Sequence, residues 1–217
     1  MLTGRQAHLA HGQGEARRID PAYGPFAALA DDSEAAGRDL MDLLTGPEDE
    51  LWFVEPGPVM APSGLRVLRS RALLQMIAHT GTGMGGEEAE AVLLDETHAE
   101  AMRDLALATR PGPWSRLTHR YGPFYGIFRE GRLAAMAGQR MQPGAGVTEV
   151  SGVCTWPEFQ GQGMGTRLLR HVMARLGAAG ERPYLHTYAD NAVAIGLYRR
   201  LGFRERRAMT LTVMVPV

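Results

Sequence analysis

The chain contains no lysine: all 23 of its Lys and Arg positions are Arg. That absence excludes any mechanism built on a Schiff-base lysine or on the lysine of a nucleotide-binding P-loop. There is a single cysteine, Cys154, so no internal disulfide can form. No stretch approaches the ~18 consecutive apolar residues that a membrane-spanning helix needs. Excess charge is missing too, since the formal net charge is −1 and no Arg-rich run exceeds a few residues. The electrostatic footprint of a nucleic-acid binder is therefore absent. The first eight residues lack the charged-then-apolar layout of a secretory signal, and the expectation is a cytoplasmic protein. His8 and His11 stand three apart with no third ligand near them, so no metal is expected.

What is present suits a packed globule. Hydrophobic residues at 45% and charged residues at 22% allow a core, and 217 residues fit one large domain or two small ones. Ser33 stands at an N-cap position before apolar Leu40, Leu43 and Leu44, and Gly46-Pro47 stops that helix. Residues 51–54 read as a strand, whereas 65–77 fit a strand or a helix, because short apolar runs are ambiguous by period. Gly81-x-Gly83-x-x-Gly86 matches a dinucleotide fingerprint by letter, but a strand-like segment from Ala89 leaves no room for the helix such a turn opens. The expectation is a glycine-rich linker over 81–87, dividing an N-terminal α/β region at 1–80 from a domain at 88–217.

From residue 88 the elements alternate regularly. A strand over 88–94 precedes a helix capped by Thr97 and stopped by Arg110-Pro111-Gly112-Pro113, followed by a shorter helix over 114–121. A hairpin over 123–141 turns at Arg129-Glu130-Gly131. A strand begins near Glu149, and the next helix carries Leu168, Leu169, Val172, Met173 and Leu176 on one side. A strand over 184–188, a helix capped by Asn191, and a strand pair at 203–207 and 209–215 complete the order. The pattern predicts an α/β (α+β) fold with a mixed sheet and helices on its faces.

Between the Glu149 strand and its helix lies Gln160-Gly161-Gln162-Gly163-Met164-Gly165. Small residues there let the backbone wrap an anion, which the first helical amides and the helix dipole stabilise. The spacing is neither that of a P-loop nor of a dinucleotide site, and taken alone the segment is equally a tight turn. Cys154 as an acyl-carrying nucleophile lacks a placed His partner, and a lone strand cysteine is usually core.

Gln160-x-x-Gly163-x-Gly165, followed by Asn191-x-x-Ala194-x-x-Leu197-Tyr198-x-x-x-Gly202-Phe203, resembles the acetyl-CoA-binding core of the GNAT family of N-acetyltransferases. The resemblance covers roughly 88–215. It implies a mixed, mainly antiparallel central sheet flanked by helices, here with an extra N-terminal α/β region over 1–80. That region would be a degenerate half of the same fold or a substrate-side cap. It also implies acetyl-CoA as cosubstrate. Gln162, Gly163, Gly165 and Thr166 would meet the pyrophosphate, and Gln160 takes the usual Arg or Gln position. The main chain of Val153, Cys154 and Thr155 would pair with the pantetheine arm, and Asn191 would contact it. Tyr198 corresponds to the tyrosine near the CoA sulfur and is the expected general acid; its other reading is core packing. Glu149 is the expected general base, with Glu158, His186 and solvent as competitors.

The function so implied is direct acetyl transfer to an amine of a small molecule or a peptide. From a different class, a catalytically silent acyl-CoA-binding module with this fold remains open, although such a binder needs neither Tyr198 nor Glu149. A homodimer is also left open; nucleic acid and membrane are not expected partners.

Overall fold

The computed structural model describes residues 2–78, 86 and 88–217. Among them are two sheets and four α-helices. A small antiparallel sheet joins β1 (Ala10–His11), β2 (Ala16–Ile19) and β3 (Ala27–Leu29). The main sheet contains β4 (Leu51–Glu55), β5 (Leu65–Ala78), β6 (Val92–Leu94), β7 (Phe124–Arg129), β8 (Arg132–Gln139), β9 (Val147–Thr155), β10 (Arg182–Tyr188) and β11 (Phe203–Pro216). Its order is β4-β11-β5-β10-β9-β8-β7-β6, and every pairing is antiparallel except β9 with β10. The helices are α1 (Glu34–Met41), α2 (Ala99–Thr109), α3 (Met164–Ala178) and α4 (Ala192–Arg200). The mixed, mainly antiparallel sheet flanked by helices is the architecture the sequence predicts.

The ambiguous run at 65–77 is a strand. Alternate residues of β5 go to opposite faces, Leu74 and Met76 into one core cluster and Leu73 into another, and β10 and β11 supply ladder partners on both sides. Residues 51–78, expected in a region apart from 88–217, thus contribute two strands to the same sheet. The expected linker and the fingerprint-like glycines fall, apart from Gly86, outside the described residues.

Three local expectations change. The strand pair at 203–215 is one continuous strand, β11, interrupted by bulges at Glu205/Arg207 and Val213/Met214 rather than by a turn. The helix expected over 114–121 reduces to a single 3-10 turn, Thr118–Arg120, because its backbone and hydroxyl groups bond far away: Leu117 N–H donates to Ala22 O and Thr118 Oγ1 to Tyr23 O. The cap before α2 is Asp95 instead of Thr97. Asp95 accepts the Thr97 N–H at 2.9 Å, and the His98 ring accepts the Asp95 N–H at 3.2 Å.

Helix α3 covers one face of the sheet. Its fully buried Leu168, Leu169 and Val172 share a cluster with Ile127 of β7 and with Ala135 and Ala137 of β8, the two alanines being small enough to let the helix approach closely. Helix α2 covers the other, where Met102 and Leu105 pack on Phe124, Leu133 and Met136. Cys154 lies in this second cluster, and burial pushes its thiol up to about 12. It is a core side chain and a poor nucleophile at neutral pH.

The feature that shapes the site is a fork. Strands β9 and β10 pair only from Val147↔Arg182 to Glu149↔Tyr184. Just beyond, β9 bulges against β8, its register shifting between Met136↔Cys154 and Gly138↔Ser151. Gly152 occupies the bulge at φ +62°, and a Cβ there would stand 2.7 Å from the Phe124 ring. Only glycine meets both conditions.

Gly152→Ala should therefore lose at least about 1–2 kcal/mol of stability from backbone strain alone, with the Phe124 clash adding to it. Urea unfolding checks this, with Gly144→Ala, which meets no atom within 4 Å, as the near-neutral reference.

Candidate active site

Where β9 and β10 part, a cleft of about 550 Å³ opens, lined by residues of β4, β5, β9, β10, β11, α4 and the 109–113 loop. It brings together five of the residues singled out from sequence: Glu149, Val153, His186, Asn191 and Tyr198. Gln160, Gln162 and Gly163 lie in the turn before α3 and Gly165 and Thr166 in its first turn, and none of them lines the cleft. Glu158 pairs with Arg132 at 2.5 Å and also lies outside the cleft.

The polar floor of the cleft is one connected cluster. Glu149 is 2% exposed, and a carboxylate removed from water must be paired. Arg140 donates from Nε to Glu149 Oε2 at 3.0 Å, and His186 Nδ1 meets Glu149 Oε1 at 2.9 Å. Burial works to raise the Glu149 pKa, but the Arg140 charge and the His186 contact outweigh it and hold the carboxyl at about 2. On its other side His186 Nε2 lies 3.0 Å from Gln75 Nε2, directly across the β5–β10 pair. A carboxylate so held is a weak base in its own right, and it is well placed to orient an imidazole. Gln75, Arg140 and the partnership of His186 with Glu149 are not legible in the sequence, because each depends on strand register between separate segments.

Tyr198 reaches the cleft from α4. Its ring lies edge-on to Phe203 with centroids 5.9 Å apart, and burial raises the phenol pKa. No side chain among the described residues hydrogen-bonds its hydroxyl. Asn191 caps α4 as expected, its Oδ1 accepting the Ala194 N–H at 3.1 Å.

The glycine-rich turn has the form of an anion cradle. Gly161 and Gly163 sit at φ +78° and +75°, nothing lies within 4 Å of where a Cβ would be, and no side chain among the described residues caps the 15-residue α3. The first amides of α3 thus open onto free space. Gln160 ties the turn back to the strand, its Nε2 donating to Thr155 O at 3.4 Å. Arg167, on the next helical turn, is engaged by Glu88 and Glu90.

A forked sheet, an uncapped helix start at one prong and a buried acid–imidazole pair at the root suit an acyl-transferring enzyme. The comparisons with known proteins agree. A family model described as FR47-like protein matches residues 124–212, from β7 into β11. A protein assigned to the GNAT family of acetyltransferases from Novosphingobium aromaticivorans is 54% identical, with 100% of this chain and 95% of that one covered at a TM-score of 0.94. The ribosomal protein bS18-alanine N-acetyltransferase of Escherichia coli is 31% identical over 119 residues, 52% of this chain and 78% of that relative. A GCN5-related N-acetyltransferase from Kribbella flavida, 18% identical, shares the fold over 97% of this chain and 91% of its own at a TM-score of 0.63. The chain belongs to the GNAT family of N-acetyltransferases, enzymes that take their acetyl group from acetyl-CoA.

The depressed pKa of Glu149 carries a stability signature. Its contribution is complete above the unfolded value of 4.5 and is lost as pH falls through the folded value of about 2. The stability advantage of wild type over Glu149→Gln should shrink across that interval, as measured by urea unfolding at stepped pH.

Proposed function

We propose that this enzyme acetylates the amine of a small molecule or a peptide end within the cleft at the fork, in the cytoplasm. The observation that carries the reading is that Val153 and Tyr198, beside the fork, line the same cavity as Glu149 and His186 at its root. A donor thioester and an acceptor amine entering from opposite sides would meet there. The cleft volume falls within the ~300–1,000 Å³ of small-ligand sites.

The donor supplies a thioester whose carbonyl the amine attacks, with CoA leaving as a thiolate. The uncapped amides of α3, with Gln162, Gly163, Gly165 and Thr166, suit its pyrophosphate. Beyond Glu149 the β10-facing side of β9 has no strand partner among the described residues, which leaves the main chain of Val153, Cys154 and Thr155 to pair with the pantetheine arm. Asn191, at the start of α4, borders the same channel. Burial keeps the Tyr198 phenol protonated, so it can give its proton to a departing thiolate of pKa ~8.5.

An amine of pKa ~10 is largely charged at neutral pH and must lose protons to react. Glu149 serves this step through His186: the carboxylate orients the ring, and the imidazole accepts the proton. Leu2, Phe26 and Trp52 line the outer part of the cleft, which supports residues 1–80 as a wall on the acceptor side.

Free-thiol release from acetyl-CoA across a panel of amines tests the reading. Acceptor-dependent release is expected, with kcat reduced ~10²-fold or more in Tyr198→Phe and in His186→Gln. An unchanged kcat in Tyr198→Phe would remove the acid assignment, and tight CoA binding without release on any amine would sink the acceptor reading.

A further inference from the structure

We infer that Gln75, oriented by Arg206, fixes the proton of His186 on Nδ1 and so keeps Nε2 the acceptor nitrogen of the ring, its lone pair taking the Gln75 N–H at rest. Gln75 is thus a positioning residue contributed from outside the stretch that matches the family model. The inference rests on the proposed role of His186, but its structural core stands apart from turnover.

The argument is one of donors and acceptors. Arg206 Nη1 meets one end of the Gln75 amide, and a guanidinium has only N–H donors. That end of Gln75 is therefore its oxygen. The other end is the NH2 group, which lies 3.0 Å from His186 Nε2 and can only donate. Nε2 must accept, so in the neutral ring the proton sits on Nδ1. Nδ1 in turn lies 2.9 Å from Glu149 Oε1, a carboxylate that only accepts, and Arg140 donates to the same carboxylate from behind. With Gln75 flipped, two donors would face each other at Arg206, and the ring would turn a bare nitrogen toward the Glu149 carboxylate. Every contact from Arg206 to Arg140 thus specifies the same tautomer.

The backbone is shaped for this contact. In the β5–β11 register Glu205 pairs with Met76 and Arg207 with Gln75, so Arg206 is the extra residue of a β-bulge placed opposite Gln75. Bulges re-aim side chains in this way near active sites. Of the groups in the chain, arginine cannot give up its proton, an amide does not titrate, and Glu149 is held low. The His186 Nε2 lone pair is what remains to take a proton, and a substrate amine reaches it by displacing the Gln75 N–H. The groups facing His186 are Glu149 from β9 with Arg140 behind it, Gln75 from β5 with Arg206 behind it, and the Tyr184 ring on its own strand.

Two measurements on the full chain test the proposal. Long-range 1H–15N NMR of histidine-labelled protein, with His186 assigned by its loss in His186→Gln, should show protonated Nδ1 and bare Nε2. Gln75→Ala should mix in the other tautomer. In Gln75→Glu, nearly isosteric, a second carboxylate would accept from Nε2, so His186 should bind its second proton at higher pH. The acid limb of kcat/KM should then move upward by about one pH unit, a tenfold change in proton affinity. A purely structural Gln75 would lower stability in Gln75→Ala and leave the Nδ1–H tautomer unmixed there. Wild-type protein with its proton on Nε2, or a Gln75→Glu variant in which neither the His186 titration nor the limb moves, would overturn the inference. The expected tautomer in a protein that transfers no acetyl would instead count against the proposed function.

Discussion

A single carboxylate removed from water organises this molecule. Glu149 can be buried only because Arg140 neutralises it and both Arg140 and His186 hydrogen-bond it, and removing one partner of such a group typically costs ~3–5 kcal/mol. Arg140 is fixed in turn by the main chain, since its N–H donates to Glu149 O and Met141 O accepts the Glu149 N–H. Glu149 is also the last residue at which β9 pairs with β10. The charge cluster therefore stands where the sheet stops closing, with ladder hydrogen bonds on one side of it and an open channel on the other.

At Tyr198 core packing is compatible with the proposed chemical role. The burial that sets its ring against Phe203 is the same burial that raises the phenol pKa and keeps the hydroxyl a donor. Its alternative reading as a core residue is correct for the ring and says nothing of the oxygen. Cys154 differs because its sulfur faces the α2 cluster, so burial there leaves it only a packing role for the side chain.

Legibility in the sequence followed the range of the forces involved. Helices α3 and α4, the Asn191 cap, the β7–β8 hairpin and the glycine-rich turn are encoded by residues within a few positions of one another, and they were readable. The state of β5, the continuity of β11 and the collapse of 114–121 to one 3-10 turn depend on partners far along the chain. The Arg206–Gln75 contact joins residues 131 apart in sequence, and no local pattern could reveal it. Glu149 could be singled out by its place before the turn, whereas the Arg140 pairing that makes it a weak base arises only when β8 and β9 align. Of the site, the helix-borne half was visible early and the strand-borne half was hidden in register.

The position of β5 has an implication for any shortened form of the protein. It lies between β10 and β11, hydrogen-bonded to β11 from Phe203↔Ala78 to Pro216↔Leu65 and to β10 from Tyr184↔Ile77 to Tyr188↔Leu73. A chain begun after residue 80 would lose an interior strand and uncover two ladder edges at once. Bare edges of that kind are templates for intermolecular strand pairing. The N-terminal segment thus covers two ladder edges of the acetyltransferase sheet that would otherwise be open to such pairing.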